Sequence, residues 1–138
     1  MTVRDWELDP RLAADSVAVA AFELSELRLM DDSRWPWLLL VPRVAGARDL
    51  LDLERAARVQ LLDEIDRCSR ALLQLHAPDK LNVAALGNVV EQLHVHVIAR
   101  RRDDDAWPRP VWGVGERMAH APGQLDAACA RLRAALAS

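Results

Sequence analysis

A chain of 138 residues has room for one domain, spanning residues 1–138, that buries roughly two-thirds of its unfolded surface. Its net charge of −3 and its single lysine, Lys80, argue against non-specific nucleic-acid binding. No apolar run approaches the roughly 18 residues of a membrane span and no signal-peptide core is seen, so a cytoplasmic protein without membrane contact is expected.

Asp9-Pro10 favours a helix start, with a short helix about residues 10–15. Residues 17–20 and 23–30 read as two short strands, followed by an Asp31-Asp32-Ser33-Arg34 turn. Trp37 to Val41 is a continuous apolar run ending at Pro42, as a buried strand would. From Leu53 to Leu75 the period becomes helical. Leu61, Ile65, Cys68, Leu72 and Leu75 form the stripe, with Asp52 as the expected cap and Pro78 as the stop. Strands are expected at 80–85 and 92–99. Arg100, Arg101 and Arg102, followed by Asp103, Asp104 and Asp105, read as a solvated turn, and an irregular segment runs over 103–115. Residues 122–137 return to helix. Cys68 and Cys129 fall on apolar helix faces without metal or redox spacing, which points to packing. Strands, long helix, strands, helix is the order of an α+β domain, with helices packed on one face of an antiparallel sheet.

The most informative stretch is Gln92-Leu93-His94-Val95-His96-Val97-Ile98. Side chains alternate along a strand, so Gln92, His94, His96 and Ile98 share one face and Leu93, Val95, Val97 and Ala99 the other. Like-facing neighbours stand roughly 6.5–7 Å apart, close enough for a phosphate or a metal to bridge. Gly87-Asn88, just upstream, reads as a turn able to present backbone N–H groups to an anion.

These residues resemble the histidine triad (HIT) family, whose signature is His-φ-His-φ-His-φ-φ with φ apolar. Asn82-Val83 and Gly87-Asn88-Val89-Val90 are similar to the family's asparagine strand and Gly-Gln-Ser-Val turn. Trp37-Leu38-Leu39-Leu40-Val41-Pro42-Arg43 is similar to its strand ending in Pro-Arg or Pro-Lys. The match covers about residues 25–112. Among the departures from the pattern, Gln92 stands for the first histidine and Val89 for the turn serine.

The resemblance implies a HIT-like antiparallel sheet, a two-fold dimer through the long helix and a central strand, and nucleotidyl transfer or hydrolysis at an α-phosphorus of a nucleotide or nucleotide conjugate. His94 would be the nucleophile, since a neutral imidazole attacks well near pH 7. His96 would bind phosphoryl oxygens, helped by Asn82, Gly87 and Asn88. Leu27, Leu29 and Asp31 would line the nucleoside, with Asp31 on the ribose. Trp35 and Trp37 read as core or interface anchors; Trp107 and Trp112 either cover the site or pack. No metal or cofactor is called for. Gln92 has no proton to give at pH 7, which favours anhydride substrates over phosphoramidates; simple positioning of phosphate is its other role. Two further readings stand beside this one. His94 and His96 could bind a metal with His76 or His120, although neither spacing is a known ligand frame. Loss of the first histidine also suits a non-catalytic nucleotide-binding or regulatory protein.

Overall fold

The computed structural model describes residues 6–138. A five-stranded antiparallel sheet in the order β1-β2-β3-β5-β4 is built from β1 (Ser16–Ala21), β2 (Ser25–Met30), β3 (Trp37–Pro42), β4 (Lys80–Ala84) and β5 (Val95–Arg100). Helices α2 (Arg55–His76) and α3 (Gln124–Ala137) pack on one face, as the apolar stripes require, and α1 (Pro10–Asp15) lies against the other.

Alternation sorts the side chains into two cores. Leu27, Leu29, Leu38, Leu40, Val95, Val97 and Ala99 meet Leu61, Cys68, Leu72, Cys129 and Leu132 under α2 and α3. Trp37, Leu39, Val41 and Ile98 meet Leu12, Trp35, Val90 and Val111 on the opposite face. Each fully buried leucine contributes about 1.5–3 kcal/mol of apolar transfer. β3 sits centrally between β2 and β5 and is buried along its whole length, as its unbroken apolar run requires.

Several boundaries differ from the sequence reading, each for a local reason. β2 begins at Ser25 rather than residue 23. The backbone N–H groups of Leu24 and Ser25 donate instead to the buried Glu64 carboxylate, at 2.8 and 3.1 Å. Asp52 does not cap α2; its carboxylate accepts from the N–H groups of Arg48 and Asp49 and closes a 3-10 turn at Leu50–Asp52, while Glu54 precedes the helix. α2 ends on Ala77 in the left-handed region, just before Pro78. β5 begins at Val95 rather than residue 92, because the Leu93 N–H turns to the carbonyl of Ala47.

The Arg100–Asp105 stretch is not a solvated turn throughout. Arg100 is 2% exposed and forms an ion pair at 2.8 Å with Asp104, while also donating to Asn82 Oδ1 and to the Arg109 carbonyl. Burial works to raise the Asp104 pKa, but donors from Arg100, Arg101, Ala106 and Trp107 outweigh it and hold the carboxyl well below the usual range. This pair fastens the irregular segment to the end of β5. Arg100→Ala leaves Asp104 buried without its partner and should cost about 3–5 kcal/mol. Arg101→Ala, at an exposed pair, should cost under about 1 kcal/mol. Urea midpoints of the two variants check this.

Candidate active site

His94 and His96 lie at the start of β5, on the face away from α2 and α3, with ring centroids 4.9 Å apart. Both are buried, at 7% and 5% exposure, so each ring nitrogen needs an accounted partner. The Nδ1 of His94 lies 2.7 Å from the backbone carbonyl of Gln92. A carbonyl only accepts, so the proton resides on Nδ1 and the Nε2 lone pair is free. His96 has the opposite arrangement. Its Nδ1 accepts the indole N–H of Trp37 at 2.9 Å. Indole only donates, so the His96 proton resides on Nε2, ready to bond an anionic oxygen. Trp37 and Trp112 wall in this ring, with centroids at 5.7 and 5.0 Å. Burial, with a smaller contribution from His94, pushes the His96 pKa down to about 3. Trp37 is thus more than the core anchor read from sequence, and Trp112 does border the site.

Gly87 has φ +75°, a left-handed conformation that disfavours other residues and turns the chain toward His94. No hydrogen bond among the described residues takes up the N–H groups of Gly87 or Asn88. A cavity of about 250 Å³ opens on His94 and is lined by Arg48, Leu50, Leu51, Leu86, Gly87 and Leu93. Asn82 pairs with Ile98 and so shares the histidine face, one pleat from His96; its Oδ1 is occupied by Arg100.

Gln92 is placed otherwise than its sequence role suggests. Its Nε2 donates to the Glu7 carbonyl at 2.7 Å and its Oε1 accepts the Asp9 N–H at 2.9 Å. Both ends of the amide hold the segment before α1, which fixes the side chain there rather than leaving it to follow a leaving group.

Leu27, Leu29 and Asp31 fall on the wrong face for a nucleoside beside His94. Strand alternation turns the two leucines into the core under α2 and α3. Asp31 accepts the backbone N–H of His120 at 2.8 Å, contacts its Nδ1 at 2.7 Å, and lies 3.6 Å from Arg117. Hydrogen bonds from His120 hold the Asp31 carboxyl below its ordinary range. His76 and His120, the third ligands of the metal reading, line a separate cavity of about 390 Å³ among α2, α3 and the β2–β3 loop. Among the described residues no three metal-binding side chains converge. Sequence reasoning missed Asp9, Arg11 and the hydrogen-bonding role of Trp37. Only their neighbourhood in the fold reveals them.

The depressed His96 pKa has a consequence for stability. Between about pH 6.5 and pH 3 the unfolded chain takes up a proton that the folded ring refuses, so this contribution is present above pH 6.5 and is lost as pH falls. Unfolding free energies measured in urea should drop about 2 kcal/mol more in the wild type than in His96→Gln between about pH 7 and pH 5.

Comparison with known proteins accords with this geometry. A histidine triad protein from Bradyrhizobium japonicum is 46% identical, covers 96% of this chain and 98% of its own, and superposes with a TM-score of 0.92. One from Marinobacter aquaeolei is 41% identical over 96% of each chain, also at a TM-score of 0.92. One from Sinorhizobium meliloti is 38% identical over 95% and 97%, again at 0.92. Among curated proteins there is no match. The HIT domain matches residues 11–103, and with these relatives it shows that the chain belongs to the histidine triad family.

Proposed function

We propose that this protein is a nucleotide hydrolase or nucleotidyltransferase that works through a nucleotidyl-histidine. The observation that carries the reading is the opposite tautomers of two adjacent buried imidazoles, one presenting a lone pair and the other an N–H. The Nε2 of His94 attacks the α-phosphorus and forms a P–N bond. The bond from phosphorus to the leaving oxygen breaks, and its electron pair departs with that oxygen. Water or another hydroxyl acceptor then attacks the same phosphorus and forms an O–P bond, its proton passing to solvent; the P–N bond breaks and the imidazole recovers its lone pair. His96 Nε2–H, the N–H groups of Gly87 and Asn88, and the Asn82 amide stabilise charge on the phosphoryl oxygens.

With the Gln92 amide engaged elsewhere, no general acid stands at the first triad position, and such help is worth about 10²–10⁴-fold. Anhydrides, whose leaving groups depart as anions, therefore suit the site better than phosphoramidates. His94→Ala should lose turnover of nucleotide anhydrides altogether while still binding nucleotide, because covalent catalysis requires the imidazole itself. Steady-state kinetics beside calorimetry checks this. Wild-type rates in His94→Ala would leave a nucleotide-binding protein as the better account.

A two-fold dimer in the cytoplasm completes the proposal. Val59, Leu62 and Leu73 form a stripe on α2, 50%, 65% and 50% exposed, and Val83 on the edge strand β4 is 48% exposed. Their exposure supports pairing through α2 and β4, burying the stripe and extending the sheet across the edge. Among the described residues no helix is long and apolar enough to cross a membrane. Light scattering should give twice the 15.4 kDa chain mass, and Leu62→Glu with Val83→Glu should return it to one chain.

A further inference from the structure

Gln92 and Val89, two positions where this chain departs from the family pattern, touch the same element. Gln92 binds the backbone of Glu7 and Asp9 through its side chain. Val89 offers its carbonyl to Arg11 Nη1 at 2.9 Å. The strap they hold is anchored further by Trp6 and Leu8, which pack against the cluster containing Leu12, Trp37, Leu39 and Val90. We propose that residues 7–11 form the leaving-group wall of the histidine site and that Arg11 is the ligand for an anionic leaving group. The proposal rests on the nucleotidyl-transfer reading and narrows its substrates to those whose leaving group is itself a phosphate.

The geometry supports this in three ways. Gln92 is joined to the nucleophile and the strap at once, its carbonyl on His94 Nδ1 and its amide on residues 7 and 9. The strap therefore lies beside His94. The turn before the histidines adds a second tie, the Val89 carbonyl accepting from Arg11 Nη1 at 2.9 Å. Finally, a guanidinium has five N–H donors. Arg11 spends three of them, Nε and one on Nη2 toward Asp9 and one on Nη1 toward Val89. The remaining two belong to a side chain that is 57% exposed. An isolated surface pair between Arg11 and Asp9 would contribute little and would not require a carbonyl 78 residues away. A phosphate that departs with its electron pair gains from a fixed guanidinium, which matches its oxygens in a bidentate fork. A departing amine gains nothing from it and still lacks a proton.

The test titrates inorganic pyrophosphate calorimetrically into the full-length protein and its Arg11→Ala, Arg11→Lys, Gln92→Ala and Arg70→Ala variants. Turnover is followed on ADP, whose leaving group is phosphate, and on the p-nitrophenyl ester of adenosine 5′-phosphate, whose leaving group carries none. Arg11→Ala should weaken pyrophosphate binding about tenfold or more, as loss of charged hydrogen bonds does, with partial recovery in Arg11→Lys. Arg70→Ala, which removes an exposed arginine of α2, should bind as the wild type does. On ADP, kcat/KM should fall by a similar factor in Arg11→Ala, and on the aryl ester by less than about threefold. Gln92→Ala should share the selective loss and speed amide exchange at Asp9. Equal pyrophosphate affinity in wild type and Arg11→Ala, or equal losses on the two substrates, would overturn the role of Arg11. Should the wild type turn over neither substrate, the nucleotidyl-transfer reading falls, and the pyrophosphate titration still decides whether Arg11 binds phosphate.

Discussion

The pleat of β5 is the constraint on which the rest of the molecule depends. One strand supplies two faces with opposite duties. Val95, Val97 and Ala99 are cemented under α2 and α3, and this fixes where His96, Ile98 and Arg100 must point. A register slip of one residue would exchange the two sets, placing imidazoles in the apolar core and valines in the site. The slip is resisted from both ends. Leu93 is tied to Ala47 ahead of the strand, and Arg100 is locked to Asp104 and Asn82 at its close. The energy that positions the histidines thus comes largely from apolar packing on the other side of the sheet.

Chemical difference between the two histidines arises from their partners. The residues are identical and two positions apart, yet a backbone carbonyl holds one and an indole N–H holds the other. Each partner has a single hydrogen-bonding sense, so neither ring can adopt the other's tautomer without losing a buried hydrogen bond. Trp37 is delivered by β3, whose residue Leu39 lies opposite His96 and whose Trp37 lies opposite Ile98. Antiparallel pairing with a diagonal reach is enough to bring the indole to the ring.

The features carried by short-range pattern were readable in the sequence. The histidine face of β5, the buried run of β3 and the stripe of α2 each follow from a period of two, an unbroken apolar stretch or a period of 3.6. What escaped was set by contacts between distant parts of the chain. Gln92 looks like a free amide until residues 7 and 9 arrive from more than 80 positions away. Asp31 was read as an acceptor for ribose, and its carboxylate is engaged by His120, 89 residues away. Arg100 and Asp104 look like a solvated charge run because composition cannot reveal that the irregular segment folds back over them.

The strap also bears on how the protein can be handled. The Gln92 side chain clasps residues 7 and 9 while its own carbonyl holds the nucleophile. Extra mass attached to that segment would load the clasp. Ser138, by contrast, caps α3 on the far side of the sheet, its hydroxyl donating to the carbonyl of Ala135. Tags, tethers and surface attachments therefore belong at that end, where they hang from the helical layer and leave the histidine face clear.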